Sequence, residues 1–307
     1  MDVGAACVVR RVDEKGLAMA DEWVTYHDRP TMTDARMLLA FTGWMDGGEV
    51  STGSLEFLIE QLGAQPVAEI NAGDSYISQL PGSMEMSAIV RPHVEIKGGL
   101  VEAFHVPANT VYADPANRLL LLLGPEPNLH WHAYAESIFA IGRTFSVREY
   151  LFVGSVAGAV PHTREPRFVG TVSQPALLAG LAQHGVRPLD YEGPASIASY
   201  LVGLAAERGL DMTCMVAEIP AYVQGRNLRG VEAVIRKASA VLGLRLSLDE
   251  LRGLSDALER KLSELVEEHE DLAKLIARLE HDYDNEVFDT QMGDLKDWLE
   301  QRGIRVD

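Results

Sequence analysis

Between residues 37 and 62 the hydrophobic pattern changes rhythm twice. Met37 to Phe41 is a continuous apolar run, a glycine-rich loop follows, and Leu55, Leu58, Ile59 and Leu62 then fall at i, i+3, i+4 and i+7. The run reads as a buried strand and the spacing as one face of a helix. Strand, loop and helix in that order make the first half of a βαβ unit, where ligands collect at the carboxyl ends of the strands. Further compact apolar runs predict strands at Val67–Ile70, Leu119–Leu123, Tyr150–Val153, Phe168–Val172 and Met212–Ala217. Helical faces alternate with them: Ile197, Leu201, Leu204 and Ala205 form one, and Val231, Val234, Ile235, Ala238, Val241 and Leu242 another. The alternation predicts an α/β fold, a three-layer α/β/α domain with a mostly parallel sheet.

Two regions depart from that rhythm. Asp74 to Asp114 carries alternating segments, HVEIKGG and LVEAFHV, punctuated by Gly and Pro, and predicts an antiparallel hairpin excursion. After Gly243, Ser247 and Glu250 have the spacing of a capping box. Leu251, Leu254, Leu258, Leu262 and Leu265 then step by three and four, and the series resumes at Leu272, Leu275, Ile276 and Leu279. Two helices, or one broken one, must bury this seam on the chain's own core or on another subunit. The expected organisation is an N-terminal extension over 1–35, a core domain over 36–246 and an acidic helical region over 247–307.

Composition narrows the function. The 307 residues are 47% apolar and 23% charged, the balance of a globular protein. A net charge of −18 argues against nucleic acid, whose phosphates need clustered Lys and Arg. From Ser247 onward 18 acidic and 8 basic residues leave −10, which reads as a solvated helical surface or, alternatively, as a dock for a basic partner. No apolar run reaches the ~20 residues that span a bilayer, and the N-terminus lacks a signal-peptide profile, so a cytoplasmic location is expected. Cys7 and Cys214 have neither metal nor disulfide spacing.

Four predicted strands end in segments rich in Gly, Pro and reactive side chains. These are Thr42 to Gly48, Gly124 to Asn128, Gly154 to Glu165 and Glu218 to Tyr222. In a parallel sheet such ends share one edge, which makes a rim cleft the candidate site. Trp44 reads as a cleft wall or a buried wedge, and Asp46 as a ligand group or a helix N-cap. Gly47 and Gly48 could admit an anion at a helix N-terminus. Glu126, between two prolines, could accept ligand hydrogen bonds or pair with Arg164. His162 and Arg164 could bind an anion or take part in loop ion pairs, and Glu218 and Tyr222 flank the turn at Pro220. Catalytic templates fail: Ser155 follows Gly154 directly, unlike a nucleophile elbow. His130-Trp131-His132 lacks a third metal ligand. No catalytic residue, metal or cofactor is expected.

GWMDGG after the first core strand, GPEP leading to Trp131, the PHTRE loop, AEIPAYV after the last core strand and LEHDYD in the acidic helices occur in an order that resembles the proteasome assembly chaperone family, in its bacterial and archaeal branch. The resemblance covers residues 23–285. It implies a nucleoside-phosphorylase-type α/β/α fold and self-association, a trimer among the possible arrangements. It also implies a role in protein assembly, with proteasome-related proteins as partners. The family's recurring positions fall here on Trp44, Asp46, Gly47, Glu126, Pro127, His162, Arg164, Glu218, Pro220 and Tyr222. Two features depart from the pattern. VQGRNLRG follows Tyr222, and the chain ends Ile304-Arg305-Val306-Asp307 rather than in the hydrophobic-Tyr-any tail of proteasome-docking relatives. The expected function is a non-catalytic assembly or binding protein, self-associating through the leucine seam. The alternative is an enzyme or sensor for a nucleoside-like or anionic small molecule.

Overall fold

In the computed structural model, residues 23–301 are described. Most of the predicted N-terminal extension and the tail at residues 304–307 lie outside them. The central strands alternate their side chains between two faces, as the strand period of two requires. On β2 (Ala35–Thr42), Met37, Leu39 and Phe41 enter one core and Leu38 and Ala40 the other. The same division runs through β7 (Leu119–Pro125), where Leu120 and Leu122 oppose Leu119 and Leu121. It recurs in β8 (Val147–Gly158), where Tyr150 and Phe152 oppose Leu151 and Val153. A strand covered on both faces reads as an unbroken apolar run.

Helices seal each face. α3 (Trp131–Thr144) and α5 (Ile197–Glu207) cover the first core with Tyr134, Ile138 and Leu201. α1 (Val50–Leu62) and α6 (Leu228–Leu242) cover the second with Leu55, Leu58, Val234 and Ile235. Each such side chain contributes about 1.5–3 kcal/mol on full burial. The expected α/β/α layering is the one the chain adopts.

The nine-stranded sheet is mixed. Its order is β1 (Val24–Tyr26), β3 (Gln65–Ile70), β6 (Asn109–Asp114), β7, β2, β8, β11 (Asp211–Pro220), β9 (Arg167–Val172) and β10 (Arg187–Pro188). The four central strands, β7-β2-β8-β11, are parallel. β6 and β9 flank them antiparallel. Trp23 is buried and β1 adds an edge strand to β3, so this part of the predicted extension belongs to the sheet. A short helix, α4 (Leu178–Gln183), precedes β10.

The excursion between β3 and β6 holds α2 (Met84–Ala88) and a separate two-stranded ribbon, β4 (His93–Lys97) with β5 (Leu100–His105). Gly98 and Gly99, at φ +57° and +83°, make the turn, the left-handed pair a tight hairpin requires. The expected hairpin is present, but Asn109–Asp114 returns to the main sheet.

The C-terminal region forms α7 (Asp249–Glu267) and α8 (Glu270–Gln301). The predicted capping box does not form. Leu248 is the N-cap, and the Ser247 hydroxyl donates instead to Asp249 Oδ2 at 3.1 Å. α7 packs on α6, with Leu251 and Ser255 buried.

Candidate functional site

The carboxyl ends of the four parallel strands do share one edge, and their loops divide there into two neighbourhoods. The first is a cleft of about 770 Å³. Its inner wall comes from Trp44, Glu126, Asn128 and Trp131 of the body with Tyr76 at the start of the excursion. Its outer wall comes from the excursion, Ile89–His93 and His105–Pro107. Trp44 is 63% exposed, a wall rather than a wedge.

Glu126 is held on both oxygens. Oε2 accepts the Trp44 N–H at 3.1 Å, and Oε1 accepts the N–H of Ile197, the first residue of α5, at 3.1 Å. A carboxylate at a helix N-terminus is favoured by the helix dipole. Glu126 therefore ties the ends of β2 and β7 to the start of α5. It does not pair with Arg164, as the sequence reading allowed. Beneath the cleft, the Tyr76 hydroxyl donates to the Pro125 carbonyl at 2.9 Å and accepts from Asn109 Nδ2. Burial pushes the Tyr76 phenol up to about 12.

Asp46, Gly47 and Gly48 sit outside this cleft, in a turn welded to β8. Ser155 N–H donates to the Met45 carbonyl at 2.8 Å, and Ser155 Oγ donates to the Gly47 carbonyl at 2.8 Å. Gly48 has φ +60°, and a Cβ there would come within 2.7 Å of Ile219 Cδ1. Close packing explains the glycine pair, and no anion need be invoked. The N-cap of α1 is Glu49, and Asp46 reaches the first turn from outside it: Oδ1 accepts Thr52 N–H at 3.0 Å and Oδ2 accepts Thr52 Oγ1 at 2.7 Å. Burial raises its pKa, and the Thr52 hydrogen bonds oppose that rise.

The second neighbourhood gathers His162, Arg164, Glu218 and Tyr222 beneath the C-terminal helices. His162 N–H donates to Tyr222 Oη at 2.6 Å, which directs the phenol proton to His162 Nδ1 at 2.8 Å. Nε2 then carries the imidazole proton and donates to Ser263 Oγ of α7 at 3.2 Å. Burial lowers the His162 pKa, and the Arg229 guanidinium lowers it further. Burial raises that of Tyr222. Arg164 forks onto Asp284 of α8, Nε to Oδ1 at 2.8 Å and Nη2 to Oδ2 at 2.7 Å, and reaches Glu280 at 3.3 Å. Arg167 holds Glu286 at 2.7 Å and lies 3.9 Å from Glu218. The sequence placed these residues on the rim, and the structure uses them to hold two helices.

The seam leucines divide accordingly. Leu251 is buried, Leu258, Leu262, Leu272 and Leu279 are half-buried, and Leu254 and Leu265 stay exposed. Sequence reasoning missed the outer wall of the cleft. Its signal was the density of apolar residues on both strands of the predicted hairpin. Among the described residues no group of three His, Cys, Asp or Glu side chains is placed to share a metal ion. None of their helices is long and apolar enough to cross a membrane.

Several solved structures share this fold. A proteasome-assembly chaperone homologue of Mycobacterium tuberculosis superposes with a TM-score of 0.68 at 24% identity, covering 78% of this chain and 99% of its own. A Mycobacterium tuberculosis protein of unknown function gives 0.75 at 21% identity, covering 89% of this chain and 92% of its own. An archaeal proteasome activator of Pyrococcus furiosus gives 0.58 at 19% identity, covering 79% and 97%. At such identities the likeness speaks for fold alone. No curated protein matches the sequence significantly. Residues 40–266, most of the α/β body together with α7, match the sequence model of the PAC2 family, and the chain belongs to that family.

Proposed function

We propose that this protein is a non-catalytic, cytoplasmic assembly or binding protein that associates with itself and acts on proteasome-related proteins. Family membership and structural neighbours described as a proteasome-assembly chaperone homologue and a proteasome activator support the reading. The observation that carries it is the engagement of the rim's reactive groups. Both oxygens of Glu126, both oxygens of Asp46 and both ring nitrogens of His162 already hold internal hydrogen-bond partners. Groups so committed position the backbone rather than move protons for a substrate. Affinity capture of the tagged chain from native extract should return a stoichiometric protein partner. Recovery of neither another protein nor a second copy would refute the proposal.

The open cleft favours a second reading, a small-molecule sensor or enzyme. Trp44, Tyr76 and Trp131 offer aromatic surface, and Arg91, His93 and His105 line the opposite wall. Those features suit a nucleoside-like or anionic ligand. A thermal-shift screen of nucleosides, nucleotides and sugar phosphates separates the two readings. A true ligand at 100 times its dissociation constant adds about 2.7 kcal/mol of stability.

A further inference from the structure

We propose that the β4–β5 hairpin, and not the C-terminal leucine seam, is the surface through which two copies of this chain associate. The inference rests on the self-association part of the function proposed above and assigns it a place. Nine of the eighteen large apolar side chains that stand exposed among the described residues fall between Met84 and Val106. Leu100 is 73% exposed and Phe104 60%, whereas ordinary surfaces scatter such residues singly. The strand register gathers four of the nine, Val94, Ile96, Val101 and Phe104, while Leu100 lies opposite Lys97. Val94 lies opposite Phe104, and Ile96 lies opposite Val101 past a bulge, so cross-strand pairs build one apolar face.

Charge selects the occupant. The whole chain carries −18, so two copies repel over most of their surface. From Met84 to Pro107 the charged residues are Glu85, Glu95 and Glu102 against Arg91 and Lys97, a net of −1 with His neutral. Two of those carboxylates are answered within the hairpin. Lys97 Nζ lies 2.8 Å from Glu102 Oε2, and His105 Nε2 lies 3.1 Å from Glu95 Oε1. A strongly basic partner would find its match on the acidic helices instead. The near-neutral ribbon is the place where two acidic copies can meet without opposing fields.

Size and stability agree with this occupant. A standard interface takes about 20–30 residues and about 800 Å² from each side, and Met84 to Val106 is a stretch of that length. A two-stranded ribbon is marginal in water, and its unpaired edges invite association. The ribbon therefore needs a cover wherever the chain is folded, and a second copy is present at equal concentration wherever the chain is made. Because the base of the ribbon forms the outer wall of the cleft, association also fixes that wall.

Analytical ultracentrifugation of the full chain over a 100-fold concentration range tests the proposal. The native chain should sediment as an oligomer. Ile96→Asp with Phe104→Asp should weaken association by at least 100-fold, since unpaired carboxylates would be buried in the contact. Leu254→Asp with Leu265→Asp, on the exposed side of α7, should leave the mass unchanged. Hydrogen exchange of the native chain supplies a variant-free readout, with amides of residues 93–105 gaining protection as concentration rises. A native chain that is monomeric throughout would overturn both self-association and its placement. Dissociation by the α7 pair but not the hairpin pair would keep self-association and overturn the hairpin. Ribbon amides still protected at dilutions where the chain sediments as a monomer would show the ribbon covered within one chain, which also overturns it.

Discussion

The C-terminal helices and the β4–β5 hairpin both carry apolar side chains at regular spacing, and they are covered in different ways. The helices lie on their own chain, anchored by charge. Arg164 holds Asp284 and Glu280, Arg167 and Arg187 hold Glu286, and Arg229 holds Glu259. Among the described residues the hairpin has no such anchors, and nothing lies over its apolar face. An amphipathic pattern states that a face must be covered and is silent on what covers it. The charges beside the pattern carry that information. The cations Arg164, Arg167 and Arg187 meet the acidic residues of α8, while the hairpin's charges are spent on one another.

Substitutions along α7 should break this comparison most sharply. Leu251 is 4% exposed, and Leu251→Ala should cost about 2–5 kcal/mol in thermal or denaturant unfolding. Leu254→Ala, one turn on, should cost less than about 0.5 kcal/mol. Equal costs would mean that the helix does not lie on α6 as described.

Cutting the charged anchors comes next. Exposed pairs are worth about 0.2–1 kcal/mol each, so Arg164→Ala with Arg167→Ala should remove about 1–2 kcal/mol of docking. Proteolysis near the α7–α8 junction should then accelerate about 5–30-fold while the sheet's melting changes little. An unchanged cleavage rate would show that apolar contact alone holds α8.

Acid should loosen the same contact. The folded His162 pKa is lowered by burial and by Arg229, while the unfolded chain titrates near pH 6.5. Stability from the neutral imidazole is therefore fully present above about pH 6.5, and is lost as pH falls through the lowered folded value. Glu280 on α8 opposes the shift, and Glu259 on α7 engages the Arg229 that causes part of it. Amide protection along α7 should fall on acidification, and His162→Gln should flatten that response. A profile indifferent to the substitution would assign the acid effect elsewhere.

The smallest change is expected at the cleft mouth. Trp44→Ala should alter stability by less than about 0.5 kcal/mol, given the exposure of the indole. It should abolish any thermal shift produced by a cleft ligand. A large loss of stability would show the ring to be a structural wedge.

The motif order that resembles the assembly-chaperone family led to the right family, and the strand runs led to the right layers. The candidate rim was only partly legible. Trp44 and Glu126 do share a cleft. His162 and Arg164 meet helices that begin more than eighty residues later in the chain, and Tyr222 joins them through its hydrogen bond to His162. The outer wall of the cleft carried only an apolar signal, because its residues, His93 and His105 among them, match no chemical template.

Local periodicity was enough to specify strands, helices and their two buried faces, because each strand and helix must hide its own apolar side chains wherever it lies. The same local rule could not state which carboxylate meets which arginine, or whether a leucine face turns inward or outward. Those outcomes depend on contacts across a hundred residues or more, such as Arg164 with Asp284, and such contacts exist once the sheet has brought its strand ends to a common edge.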